Sequence, residues 1–328
     1  MMSIRRILPI LILSVPTYAE PLLYSWLIDQ SRTYAELFES HDDEENHNEV
    51  HTWSQGAGVQ ALPTYSGVNE VSYSEDWVYI RTTGLGHHIM GPWYLNEANT
   101  QLFPNFPANV AAIYRFPRTA SSSSSAYEIT SGGAIGYFVD GVAMFDCRDA
   151  FSYINNLGTD GSPKGGNGRG DGIWNRDAYE NERVTFDSAN AHQASDTYHY
   201  HANPTALRYL LDDHVEYHEN NTYTEKVGIP THHSPIIGWV SDGYPVYGPY
   251  GYADANNSES GIKRMTSGYQ KRVMTDRTSY PDWASRMYAK PALSTAEYGP
   301  NITTQFPIGH YIEDYEYMGD VGLTQGID

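Results

Sequence analysis

Tyr198-His199-Tyr200-His201 alternates a phenol with an imidazole over four residues. Read as a β-strand, the stretch sends His199 and His201 to one face and Tyr198 and Tyr200 to the other, because successive strand side chains point to opposite faces. Two imidazoles on one face of a rigid strand are half of a metal site, and imidazole is the commonest protein metal ligand. A plainer alternative is that Tyr and His simply suit a half-buried strand. More histidines stand at His87, His88, His192, His232 and His233, several beside Gly or Pro, and they favour the metal reading.

Outward from this stretch the signals are those of strands. Residues 68–73 and 77–81 alternate in part, 135–145 has strand character around Asp140-Gly141, and 309–317 alternates again. Helix signals are few; residues 206–211 and 283–288 are the candidates. Residues 84–93, rich in Gly and Pro, read as a loop, and the three prolines of 103–117 read as extended chain. The five serines Ser121 to Ser125 read as a surface loop. A mostly β fold of antiparallel sheets, sandwich-like or related, follows.

Two decapeptides repeat one pattern. Residues 136–145 and 238–247 both run Gly, aromatic, two residues, Asp-Gly, two residues, apolar, aromatic. Asp-Gly between apolar residues is a hairpin signal. The expectation is either two ordinary hairpins or a duplicated β-unit related by a pseudo-twofold.

Composition narrows the function. With 40 acidic and 20 basic residues the formal net charge is −20. Nucleic-acid binding needs a positive footprint, and an anionic membrane surface repels such a chain, so neither is expected as a partner. Arg5 and Arg6 precede an apolar run at 7–15 and the small-residue pattern Thr17-Tyr18-Ala19. That is a secretory signal pattern, with cleavage expected after Ala19 and an extracellular or periplasmic destination. No later apolar run is long enough to span a bilayer. The single cysteine, Cys147, excludes an internal disulfide and is expected to be a buried, inert thiol. The organisation expected is a signal peptide at 1–19, an N-terminal extension at 20–66 and a β domain at 67–328. The acidic run 39–51, with His41, His47 and His51, reads as a solvated loop. The polar glycine-rich loop 158–172 lacks the ligand spacing of an EF-hand.

The assembled motifs resemble the YHYH-domain family. The resemblance rests on the strings at residues 172–179, 186–193, 198–204, 233–239, 242–251 and 307–314, and covers the chain from about residue 75 onward. It implies a secreted or surface protein and hands over no established reaction. Similar members run on past residues 322–328 into another strand segment, which leaves truncation of this chain open.

The residues themselves nominate His199 and His201 with His233 as metal ligands, and His192 as the next candidate. One of His87 and His88 is a further contributor. Asp140 and Asp242 read as turn residues before ligands. An imidazole-rich set suits Zn²⁺ or Cu²⁺; iron would favour an added carboxylate. A three-His site with an open position is able to activate water, with Asp242 or Glu313 as base. No HExxH, GxSxG, P-loop or dinucleotide fingerprint accompanies it. The expectation is therefore a secreted metal-binding β-protein. A metal-dependent hydrolase or oxidoreductase acting on a small molecule is the second reading. A glycan- or peptide-binding module using the Tyr/Trp-rich loops of 239–252 is the third.

Overall fold

The computed structural model describes residues 20–28, 32–120, 132–148, 150–162 and 166–319. The expected signal peptide, the serine run and residues 322–328 lie outside them.

Two sheets organise the main core. The first is an antiparallel three-stranded sheet of β1 (Val68–Tyr73), β2 (Trp77–Thr82) and β3 (Ala112–Pro117), with β2 central. Its period-2 pattern is plain: Val78, Ile80 and Thr82 are buried, while Arg115 stacks over Trp77 on the other face. The second sheet has six strands: β4 (Ala134–Phe138), β5 (Ala143–Phe145), β6 (Ala191–Ala194), β7 (Thr197–Tyr200), β8 (Ile236–Val240) and β9 (Pro245–Tyr247), in the spatial order β6-β7-β5-β4-β8-β9. All its pairings are antiparallel except β7 with β5, which is parallel. Val78, Ile80 and Phe116 from one sheet share a core with Phe138, Tyr200 and Ile237 from the other. Leu22, Trp26, Leu37 and Trp53 belong to the same core, so the segment ahead of residue 67 is built into the β domain.

The repeated decapeptides are the centre of the larger sheet. The β4–β5 and β8–β9 hairpins join edge to edge through antiparallel pairing of β4 with β8. Tyr137 opposes Trp239, its counterpart in the repeat, while Gly136 opposes Val240 and Phe138 opposes Gly238. That register is self-complementary, as a local twofold requires. The details repeat as well. Ile135 and Ile237 are each left out of the hairpin register just before the glycine, a one-residue bulge. Val139 N–H donates to Ile237 O at 2.9 Å, and Ser241 N–H donates to Ile135 O at 2.8 Å. Gly141 and Gly243 close the two turns at φ +83° and +87°, where a Cβ would be strained. The pseudo-twofold ends there: β7 extends the sheet beyond β5, whereas β9 is an edge.

A second, smaller core gathers Tyr153, Trp174, Leu293, Phe306 and Tyr311. Its charge anchor is Arg277, fully buried, whose guanidinium makes two 2.7 Å bonds to Asp314 and reaches the carbonyls of Pro300, Phe306 and Pro307. The His310–Asp314 stretch, within the alternating segment 309–317, serves this core. It forms a 3-10 turn at Ile312–Asp314 before a strand at Tyr315–Tyr317.

Three helices matter below: α1 (Ala178–Glu182), α2 (Thr205–Leu210) and α3 (Asp282–Met287). The latter two fall where sequence placed them. Two local expectations change. The acidic run contains a turn of helix at His41–Glu45, because the Ser40 hydroxyl caps Asp43 N–H and carboxylates fill the first turn. Cys147 is exposed rather than buried, because the apolar alternation ends at β5 and Asp146 turns inward instead. Crowding by surrounding atoms, with the Asp146 carboxylate, still pushes its thiol up to about 11, so it is no thiolate nucleophile at neutral pH.

Candidate metal centre

β6 and β7 form a hairpin whose tip places Ser195 at φ +59°. Its register sets His192 directly opposite His199. His201 follows two residues later on the His199 face, with the ladder continued by His201 N–H donating to Asn190 O at 3.0 Å. The alternation read from sequence holds. On the opposite face the Tyr198 hydroxyl donates to Asp187 at 2.6 Å and the Tyr200 hydroxyl to Asp140 at 2.7 Å, all four residues buried.

His192, His199 and His201 offer ligand nitrogens that all lie within 4.8 Å of one another. His192 Nε2 and His201 Nε2 stand 2.9 Å apart. A tetrahedral ion with bonds near 2.0–2.1 Å sets its nitrogens about 3.3 Å apart, a spacing between the 2.9 Å of this pair and the 4.8 Å limit of the cluster. The protonation pattern suits it too. The Thr185 hydroxyl donates to the Glu182 carbonyl at 2.6 Å, leaving its lone pairs to accept His192 Nδ1–H at 2.7 Å. His199 Nδ1–H donates to Thr197 O at 3.1 Å. In each ring Nε2 is thereby the acceptor nitrogen, the arrangement that outer partners impose on metal-bound imidazole.

The surroundings are apolar. Phe145 stacks on His199 with centroids 4.2 Å apart, Phe186 stacks on His201 at 4.4 Å, and Phe103 lies 5.3 Å from His192. Burial, with the neighbouring imidazoles, holds His192 and His201 well below the usual histidine range. Both are neutral, the ligand form, at neutral pH. Glu182, at the end of α1, places Oε2 3.7 Å from His192 Nε2, and Arg176 lies 3.9 Å from its other oxygen. His201 also lines a cleft of about 400 Å³ walled by Met144, Ile237, Val246, Asn203 and Arg264.

The sequence candidates divide. His192, His199 and His201 converge; His233 does not join them. Its Nδ1–H donates to Ser234 O at 2.6 Å, and its ring packs on Tyr247 and Tyr252. Its neighbour His232 stacks on His214 in a second cluster with Asp213. There the nitrogens are already used. His214 donates to Asp213 at 3.2 Å and accepts from Thr231 N–H at 3.1 Å, while His232 donates to Asp212 O at 3.0 Å. That cluster is a hydrogen-bonded brace. His87 bonds Ser66 at 2.8 Å. His88 is buried and donates to the Tyr198 hydroxyl at 3.0 Å; burial lowers it to about 3. Asp140 and Asp242 are turn residues, the first buried on Tyr200 and the second exposed. Glu313 is buried at the second core, bonded by Asn175 and Tyr288, and burial raises it to about 7. Trp239 is buried, with its N–H on Ser25, and offers no surface platform.

Sequence reasoning missed Thr185, Glu182 and the three phenylalanines. Thr185 lies seven residues before His192, as His192 lies seven before His199. Nothing in that spacing marks a hydroxyl as an orienting group until the short 3-10 turn at Arg183–Thr185 is seen.

A family model described as YHYH protein matches residues 113–327, more than half of the chain. No curated protein and no solved structure matches it. Among the described residues, no helix is long and apolar enough to cross a membrane.

Proposed function

The chain belongs to the YHYH protein family, and we propose that this member is a secreted protein that holds one divalent transition metal ion on His192, His199 and His201. The observation that carries this reading is the convergence of three imidazoles whose Nδ1 positions, in His192 and His199, are tied to fixed acceptors. An all-imidazole set favours Zn²⁺ or Cu²⁺ over iron. The phenylalanine rings against the imidazoles lower the local dielectric, which strengthens the bonds of a bound cation to its ligands.

The test is metal content. The mature chain, loaded with zinc or copper and desalted, is expected to carry one ion by mass spectrometry. The His199→Ala/His201→Ala variant is expected to carry none. Wild-type protein that retains no metal under either loading, with thermal stability equal to that of the variant, overturns the reading.

A second reading, a metal-dependent hydrolase of a small molecule, is favoured by the Glu182 carboxylate beside the triad and by the cleft that shares His201. Glu182 is the side chain placed to hold a proton taken from water. Ester hydrolysis by the loaded protein, reduced in Glu182→Gln at unchanged metal content, supports it. Equal rates in both proteins, or no hydrolysis, remove it.

A further inference from the structure

A cleft of about 580 Å³, lined by none of the three histidines, lies between α1, α3 and the strand Tyr315–Tyr317. Its walls include Tyr179, Tyr269, Trp283 and Tyr315, with the carboxylates of Asp177 and Glu180 at its side. The rings form a corner and not a flat shelf: Tyr269 and Trp283 stand 6.2 Å apart with their planes at 81°. The Trp283 N–H is spent on Tyr315 O at 2.8 Å, so the indole offers the cleft its π system and no hydrogen bond. Tyr179 and Tyr269 are about half exposed.

We propose that this corner is a binding site for a small organic cation of the quaternary-ammonium class. Three observations support it. Aromatic rings set edge to face at a right angle line an angled recess that suits a compact, rounded cation, whereas the flat face of a sugar ring wants a shelf. The charge at the site is negative and crowded, since Asp177 and Glu180 stand three residues apart on one helical turn. Burial is the main cause that pushes the Tyr315 phenol up to about 12, and the carboxylates of Asp177, Glu180 and Asp314 add to it. The protein's own ammonium already takes the edge of the site. Lys271 Nζ lies 3.4 Å from Glu180 Oε1 and 5.9 Å from the Tyr315 ring centre. A methylated ammonium prefers the aromatic corner because it is weakly hydrated and donates no hydrogen bonds.

Choline and tetramethylammonium, titrated into the mature full-length chain with tryptophan fluorescence as the readout, test the site. The neutral isostere 3,3-dimethylbutan-1-ol and a neutral oligosaccharide are the comparators. The expected result is saturable binding of both cations, about tenfold weaker binding of the isostere, and about tenfold weaker cation binding in Tyr269→Ala. Tyr179→Ala, at an exposed position, is the second variant and is expected to weaken binding with the fold intact by circular dichroism. Glu180→Gln is expected to weaken the cations and leave the isostere unchanged. Equal binding of cation and isostere, preference for the oligosaccharide, or no saturation by either cation in folded protein overturns the proposal. Binding is expected to be the same with zinc present or chelated, so the outcome is separate from that of the metal site.

Discussion

Thr185→Val is the sharpest probe of the histidine triad. The change keeps the shape of the side chain and removes one acceptor, the oxygen 2.7 Å from His192 Nδ1. Thr185 and His192 are both buried, so water does not replace the lost oxygen. An unpaired buried donor destabilises the fold by about 1–3 kcal/mol. The ring also loses the bond that fixes which nitrogen carries the proton. Removing such an orienting partner typically lowers metal affinity by about 10–100-fold, or about 1.4–2.7 kcal/mol. Competition for zinc against a chromogenic chelator at neutral pH measures this, with Thr185→Ser expected to stay near wild type because it restores the hydroxyl. Wild-type zinc affinity in Thr185→Val, alongside full loss in His192→Ala, would refute the assignment of Thr185. Equal losses in Thr185→Val and Thr185→Ser would show that packing, not the hydrogen bond, sets the affinity.

Two further outcomes follow from geometry already described. Gly136→Ala places a methyl group against the Trp239 carbonyl at the centre of the pseudo-twofold. It is expected to destabilise by about 1–3 kcal/mol in urea unfolding, whereas Gly166→Ala, in open space, is strained only by its φ of +64° and serves as the milder comparison; equal losses would remove the close approach as the cause. His88 is neutral in the fold, with its proton affinity lowered from 6.5 to about 3 by burial. The unfolded chain therefore binds the extra proton first, and stability contributed by this residue is complete above about pH 6.5 and is lost as pH falls toward about 3. Urea midpoints between pH 7 and 4 are expected to fall less steeply in His88→Leu than in wild type; parallel slopes would show that His88 does not titrate this way.

The strands were legible wherever one face is buried and the other wet. Val78, Ile80 and Thr82 show this, and so does the tyrosine-histidine strand, whose two faces carry opposite chemistries. The repeat was legible because Gly, aromatic and Asp-Gly positions are each demanded by hairpin geometry. The second core was not, because its members are scattered from Tyr153 to Tyr311 and no local period links them. His192 is only a further candidate in sequence; what places it against His199 is hairpin register. His233 reads as a third ligand in sequence, yet it leads into β8, three strands away across the sheet from β7. Cys147 is misplaced by sequence because the apolar run stops at Phe145, two residues before it.

All three converging histidines fall between residues 192 and 201, on a single two-stranded ribbon. A ring closed by so few residues forms at little entropic expense, so an ion has much of its ligand set to hand before the sheets have come together. An ion held by the ribbon alone would stay attached when the rest of the chain opens. Binding that persists in the unfolded ensemble stabilises the native state less than its affinity alone would give. A tight metal complex here is thus compatible with a small rise in melting temperature on loading, and occupancy and thermal shift report different properties of the same ribbon.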